Sequence, residues 1–145
     1  MSQIHWINPV DGKFDTAADW SGGVVPGAHV SAILDAAGAA FQVSASGDET
    51  VKSIKLAANA TLDITGGTFQ AKNATGVGAG ANAGNILVSG GSLLFGGFGQ
   101  QIRTANTGLI EAGQRGIVEI AGSAITGRSG KITALTGGVF YLDGC

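Results

Sequence analysis

The sequence contains few cysteines, prolines, aromatic residues and charges. Cys145 is the single cysteine among 145 residues, so no internal disulfide can form, and there are only two prolines. Charged residues make up 12% of the chain and the net charge is -2, which gives no electrostatic basis for binding nucleic acid or an anionic membrane. No apolar run approaches the roughly 18 residues of a membrane-spanning helix. The composition therefore predicts neither nucleic-acid partners nor membrane insertion.

The N-terminal sequence MSQIHWINP lacks a basic region followed by an apolar stretch, so no signal peptide is predicted within this chain. What the chain does contain is glycine, at 26 residues, together with 44% apolar residues. That apolar content is too high for a flexible linker, and the glycines do not recur at every third position as collagen requires. The length suits one domain with one core.

Short alternating runs dominate the chain. Apolar residues alternate with polar ones in TLDI at 61–64, IVEI at 117–120 and VFYL at 139–142. Each run lasts three to five residues and ends in glycine, asparagine, serine or aspartate, which are residues typical of turns. No window shows the apolar spacing of an amphipathic helix. The pattern predicts many very short β-strands.

These runs recur at a nearly constant interval. The tripeptide Gly-x-Ile appears at 84–86, 108–110 and 130–132, with spacings of 24 and 22 residues. A second apolar run follows each tripeptide, at Leu93, Val118 and Phe140. A third set of apolar runs aligns Phe69, Ile102 and Ile125. Three strands in a unit of about 22–25 residues predict an all-β, parallel β-solenoid, in which each coil buries its apolar side chains against the next coil. An antiparallel β-sandwich is the alternative, although its strands would be longer and need no such repeat.

The solenoid predicts columns of equivalent residues. The first core ladder contains Ile54, Ile86, Ile110 and Ile132, and the second contains Leu62, Leu93, Val118 and Phe140. The 32 residues between Ile54 and Ile86 exceed one coil, so GVGAGANA at 76–83 is interpreted as an inserted glycine-rich loop. Asn82 and Asn106 lie one coil apart, and their side chains are predicted to form an amide ladder along the axis.

The first 50 residues differ from the repeats, because they hold both tryptophans, both prolines and both histidines. A solenoid exposes an unpaired coil at each end. Residues 1–50 are therefore predicted to be an N-terminal cap with a first irregular coil, and residues 51–145 the repeats, within a single domain.

The segments DWSGGVVP at 19–26, AILD at 32–35, VKSI at 51–54 and ATLDI at 60–64 together resemble β-strand-repeat proteins of bacterial surfaces. That family includes autotransporter passengers and hemagglutinin-like adhesins. The resemblance covers most of residues 6–70 and the repeat pattern beyond. It implies an extracellular or cell-surface location and an adhesive role, either within a longer parent or as a small subunit that polymerises.

Candidate chemistry in the sequence is sparse. Asp11, Asp15 and Asp19 recur every four residues and are the candidates for a calcium site, although they do not match an EF-hand loop. Asp63 and Glu119 are predicted to occupy matching outward positions two coils apart, a separation near that of an inverting carboxylate pair. Asp48 and Glu49 are interpreted as a surface pair at a turn. A solvated face is the simpler interpretation of all these acids, and no catalytic residue or cofactor is assigned.

The function predicted from these observations is a non-enzymatic structural or adhesive element that acts through shape and self-association, including head-to-tail filaments. The alternative is a carbohydrate-active or sugar-binding β-helix, similar to a polysaccharide lyase, a hydrolase or a phage tailspike, with surface glycans as partners. Self-association is assigned to the C-terminal coil. The residues concerned are Ile132, Phe140, Tyr141, Leu142 and Cys145.

Overall fold

The computed structural model is an all-β solenoid of stacked coils in which the named strands pair in parallel. The structure describes residues 3–71, 80–96, 102–113, 115–121, 123–126, 131–134 and 137–143. Within these residues the strands β1 to β17, numbered in chain order, build three sheets. Two 3₁₀ turns, Ala17–Asp19 and Ser21–Gly23, lie between β2 and β3.

Each sheet collects strands from successive coils. The first sheet contains, in order, β1 (Gln3–His5), β3 (Ser31–Leu34), β6 (Ser53–Leu56), β9 (Gly80–Asn82), β12 (Ile102–Asn106) and β15 (Ser123–Thr126). The second contains β2 (Gly12–Lys13), β4 (Phe41–Ala45), β7 (Ala60–Ile64), β10 (Asn85–Val88), β13 (Leu109–Ala112) and β16 (Lys131–Ala134). The third contains β5 (Glu49–Val51), β8 (Thr68–Ala71), β11 (Ser92–Gly96), β14 (Ile117–Ala121) and β17 (Val139–Asp143).

Alternation along each strand decides which side chains enter the core. In β7, Ala60, Leu62 and Ile64 are buried, whereas Thr61 and Asp63 are partly exposed. Because successive strand side chains point to opposite faces, the apolar residues of such a run enter the interior together. The core therefore runs along the axis of the stack.

Two of the predicted columns are present in their C-terminal parts. Ile110 lies opposite Ile86 on one side and Ile132 on the other, and both Ile86 and Ile110 are fully buried. Leu93, Val118 and Phe140 also occupy equivalent positions. The side chains of Ile132 and Phe140 lie outside the part that the structure describes. The strand register nevertheless places both residues in these columns.

The N-terminal parts of both predicted ladders were wrong. Ile54 lies in the first sheet, opposite Ala32 and Gly80, and does not oppose Ile86. Leu62 opposes Ile86 instead. Leu62 therefore belongs to the first ladder. In the second ladder it is Phe69, and not Leu62, that lies opposite Leu93. Leu62 and Ile86 are 24 residues apart, the same interval as Ile86 and Ile110, so no insertion is needed to align them.

The interpretation of residues 76–83 as an inserted loop is also corrected. Gly80–Asn82 forms strand β9, which pairs with β6 and β12, and residues 76–79 lie outside the described residues. Backbone pairing needs no large side chain, so a strand of glycine and alanine carries no apolar signal that would reveal it. The predicted alignment of Phe69, Ile102 and Ile125 is also wrong. Ile102 opposes Ser123 and Ile125 opposes Thr104.

Asn82 stabilises the corner between the first and second sheets. The strand register places it opposite Asn106, as the amide-ladder prediction requires. The side chain of Asn106 is not among those that the structure describes. The buried Asn82 side chain donates to the Leu109 carbonyl at 2.9 Å and accepts from the Gly84 amide at 3.1 Å. Asn82 therefore links its own corner to a strand of the following coil. A buried amide needs such partners.

The N-terminal segment packs on the first coils as part of the same core. Trp6, Phe14 and Trp20 belong to one buried cluster with Phe69 and the strand residues. The predicted boundary at residue 50 falls inside β5. We call residues 3–30 the cap.

Candidate functional site

An aromatic cluster forms the centre of the cap. The rings of Trp6 and Trp20 meet edge to face with centroids 5.0 Å apart, and Phe14 contacts Trp20 at 5.0 Å and Phe69 at 5.2 Å. Both indole N–H groups have acceptors, because Trp20 donates to the Phe14 carbonyl at 2.7 Å and Trp6 to the Val10 carbonyl at 3.2 Å. Both tryptophans are buried. They are therefore structural, and neither presents a face on which a sugar ring could stack.

The cap also supplies hydrogen-bond partners to the first strand edges. The Trp6 amide donates to the Ile33 carbonyl at 2.9 Å, and the Phe14 amide donates to the Ser44 carbonyl at 2.8 Å. On the same edge the Asp11 carboxylate accepts from the Gln42 amide at 2.8 Å. Through β1 and β2 the cap therefore pairs with β3 and β4, whose edges would otherwise be open to pairing with other chains.

The opposite end of the stack presents strand edges. Among the described strands, β15, β16 and β17 are the last members of their sheets, and each is paired on one side only. The residues predicted for self-association at Ile132, Phe140, Tyr141 and Leu142 lie on β16 and β17. Their side chains and Cys145 lie outside the described part. Val139, the first residue of β17, is described and exposed.

The three aspartates proposed for calcium do not form one site. Asp11 accepts from Gln42, and the Asp19 carboxylate lies beside Gly12. Asp15 instead hydrogen-bonds Glu49, the first residue of β5. Within the described ranges there is no group of three His, Cys, Asp or Glu residues arranged to hold a metal ion. The four-residue spacing places the carboxylates on different parts of the cap because this segment contains turns and is not a continuous helix.

The carboxyl group of Glu49 has a strongly raised pKa. Partial burial, the hydrogen bond to Asp15 and the negative charges of Asp15 and Asp48 together raise the pKa of Glu49 from 4.5 to about 8. The protonated carboxyl is therefore favoured in the folded state. The sequence interpretation of Asp48 and Glu49 as a simple surface pair missed this contact, because the pairing of Glu49 with Asp15 spans more than thirty residues.

Stability should depend on pH through Glu49. Its pKa is raised on folding, so its stabilising contribution is complete below pH 4.5 and is lost as the pH rises through about 8. We expect the urea midpoint of the wild type to fall between about pH 5 and pH 8.5, and Glu49→Gln to flatten that fall because glutamine does not titrate. Asp63→Asn, on another sheet, is the control and should keep the wild-type slope. Equal slopes in the wild type and Glu49→Gln would contradict the assignment.

The predicted pairing of Asp63 with Glu119 is wrong. Asp63 lies on the second sheet, where Leu87 and then Glu111 occupy the equivalent positions of the following coils. Glu119 lies on the third sheet and follows Leu94 in a separate column. Asp63 and Glu111 are separated by two strand spacings, about 10 Å. Asp63 accepts a hydrogen bond from the Ser89 hydroxyl at 2.9 Å, an arrangement typical of a solvated polar face.

An imidazole–carboxylate pair connects the cap to the first sheet. His5 Nδ1 lies 3.0 Å from Asp35 Oδ1, and both side chains reach solvent. The His5 backbone amide donates to the Ser21 hydroxyl oxygen at 2.9 Å. These contacts hold β1 against the chain after β3 and against the second 3₁₀ turn. We infer that these contacts fix the cap to the first sheet.

The described part of the chain includes no helix of the length and apolar character needed to cross a bilayer. A scan against protein-family models, a search of curated proteins and a search of solved structures each returned no match to this chain.

Proposed function

We propose that this chain is a structural and adhesive element of a bacterial extracellular surface assembly, and that it acts through shape and self-association and not through catalysis. The observation that carries the proposal is the difference between the two ends of the stack. At the N-terminal end β1, β2 and β5 are the first strands of the three sheets, and Ser21 and Asp19 of the cap accept hydrogen bonds from the His5 and Ile7 amides beside β1. At the other end β15, β16 and β17 are the last described strands, and each has one strand neighbour. An open parallel edge is a template for further strands.

The same edge accepts either of two continuations. Further coils of a longer parent would extend the three sheets, and a second copy of the chain would cover them by association. The extracellular location follows from the resemblance of residues 19–26, 32–35 and 51–64 to bacterial β-strand-repeat proteins. Both continuations give the molecule the same role, a rigid rod whose length is set by stacking.

A carbohydrate-active β-helix is less well supported. The two tryptophans are buried in the cap, so they offer no stacking platform. The outward column of Asp63, Leu87 and Glu111 places a leucine between the two acids. A catalytic pair would require both carboxylates to face a substrate in one groove. Screening the chain on a glycan array tests this alternative, and binding that Asp63→Asn abolishes would favour it over the structural role.

Self-association should depend on the open end. Val139→Lys introduces a charge on the exposed start of β17, a position where lysine opposes edge-to-edge pairing. We expect the apparent Kd of association to rise at least about tenfold, equivalent to about 1.4 kcal/mol, because the lysine must be desolvated in the contact. The measurement is sedimentation velocity under reducing conditions, which excludes crosslinking through Cys145.

Leu87→Lys is the matched control, because it places the same charge on a partly exposed leucine at the side of the stack. It should associate as the wild type does. A wild type that stays monomeric at the highest soluble concentration, or a control as impaired as Val139→Lys, would contradict association through the open end.

A further inference from the structure

Glu49 lies at the head of a core column. The strand register places it opposite Phe69, which is followed in turn by Leu93 and Val118. These three apolar residues are fully buried, whereas Glu49 is partly exposed. In the first strand of the third sheet, a carboxyl group therefore occupies a position that holds an apolar side chain in each of the next three coils. Such a position favours the neutral, protonated carboxyl, because burial penalises a charge.

The cap contacts the third sheet through two consecutive residues. The first and second sheets begin with the cap strands β1 and β2, whereas the third begins with β5, and no strand of the described cap pairs with it. Instead, the ring of Phe14 packs against Phe69 with centroids 5.2 Å apart, and the next residue, Asp15, hydrogen-bonds the Glu49 side chain. The cap is therefore attached to this sheet by an apolar contact and a carboxyl–carboxyl hydrogen bond.

The hydrogen bond between Asp15 and Glu49 requires a proton. An ionised carboxylate only accepts hydrogen bonds, so one of the two groups must be protonated for the bond to exist. The neighbouring Asp48 carboxylate accepts from the Thr68 amide at 2.9 Å and adds a further negative charge. The residues of β8 that lie opposite β5 in the register, Phe69 to Ala71, do not titrate. Partial burial, the bond to Asp15 and the two neighbouring acids raise the pKa of Glu49 to about 8, so the proton is retained at neutral pH.

We propose that the Asp15–Glu49 pair is a proton-dependent latch between the cap and the third sheet, closed while the pair holds its proton and open once the proton is lost. Deprotonation leaves two carboxylates in contact, with Asp48 beside them, at the end of an apolar column. Their repulsion favours a state in which the segment around Asp15 separates from β5 and the Glu49 carboxylate reaches water. Because the proton is held up to a pKa of about 8, the latch opens as the pH rises through that value. This device goes beyond the proposed function and does not depend on self-association.

Hydrogen exchange at cap amides measures the opening. The Phe14 amide donates to the Ser44 carbonyl at 2.8 Å, and the Trp20 amide donates to the Ala17 carbonyl at 3.1 Å, on either side of Asp15. Both amides should exchange when this segment opens. We expect their protection factors, corrected for the base catalysis of exchange, to fall at least about tenfold between about pH 6 and pH 8.5. The opening constant rises by up to about tenfold for each pH unit below the pKa of the closed pair.

Glu49→Gln is the matched variant, because its amide donates to the Asp15 carboxylate without a titrating proton. Its cap amides should be protected equally at both pH values. Asp15→Asn is a second, independent variant and should reduce the fall, since an asparagine amide can donate to ionised Glu49. Asp63→Asn, on the second sheet, is the control and should show the wild-type fall.

The amides of Leu109 and Gly113 report global unfolding, because they donate to carbonyls of the preceding coil in the second sheet. Cap amides that exchange only as slowly as these two would overturn the latch, since the cap would then open only when the whole chain unfolds. A wild type whose cap protection does not change with pH would also overturn it. A purely structural contact would lower protection in Glu49→Gln at both pH values and leave the fall in place, which is the third contradicting outcome.

Discussion

Gly108→Ala is expected to cause a large loss of stability. A Cβ at Gly108 would collide with the Gly84 carbonyl oxygen and would lie 2.9 Å from the backbone carbon of Ala83. Both obstacles are backbone atoms of the preceding coil, so no side-chain rotation relieves the contact. The Gly108 amide also donates to the Asn82 carbonyl at 3.0 Å, which holds the corner in place. We expect a loss of about 3 kcal/mol or more, at the upper end of the cost of overpacking.

Urea unfolding followed by circular dichroism measures this loss. Gly47→Ala is the matched control, because it adds the same methyl group at a bend where nothing lies within 4 Å. The control should change the free energy of unfolding by less than about 1 kcal/mol, and alanine at such a position can be stabilising. If Gly108→Ala unfolded at the same urea concentration as Gly47→Ala, the close approach of stacked corners would be disproved.

Ile110→Ala is expected to remove about 2–5 kcal/mol of folding free energy. The side chain is fully buried between Ile86 on one side and the position of Ile132 on the other. Strand pairing holds the neighbouring coils at a fixed spacing, so the cavity left by truncation cannot collapse. Thermal or urea unfolding measured under two-state conditions gives the value.

Leu87→Ala provides the comparison for Ile110→Ala. Leu87 lies on the same sheet, but its side chain points outward and is partly exposed. Its truncation should cost less than about 1 kcal/mol, as is usual for surface positions. A loss for Ile110→Ala as small as that of Leu87→Ala would show that Ile110 is not part of a core ladder.

The proposed end-to-end assembly and the packing of the corners depend on the same stacked coils. The close corners stack successive coils in register, and β15, β16 and β17 are the last described strands of the three sheets. The cap pairs with β3 and β4 through β1 and β2 and has exposed apolar side chains at Ile7, Val10 and Val24. In the proposed assembly, stacking of unlike ends would give growth a defined direction.

The structure of the cap and its contacts could be predicted only in part from the sequence. The aromatic composition of the first 50 residues predicts a cap, and Trp6 and Trp20 are buried there. The exposure of Ile7, Val10 and Val24 carries no such signal, because the same residue types fill the core elsewhere. The contact between Asp15 and Glu49 is also unmarked, since it joins a turn in the cap to the first strand of the third sheet.

Local alternation and the 22–25-residue interval by themselves determined the parallel solenoid and the column of Ile86, Ile110 and Ile132. Both signals are properties of consecutive residues and of equal chain lengths between equivalent positions. Only the tertiary structure decided that Ile54 belongs to the first sheet and that Leu62 continues the ladder of Ile86. Which sheet an apolar run joins depends on where the chain bends between runs. Strand β9 has the sequence Gly-Ala-Asn and is defined by its backbone pairing, which the apolar pattern does not reveal.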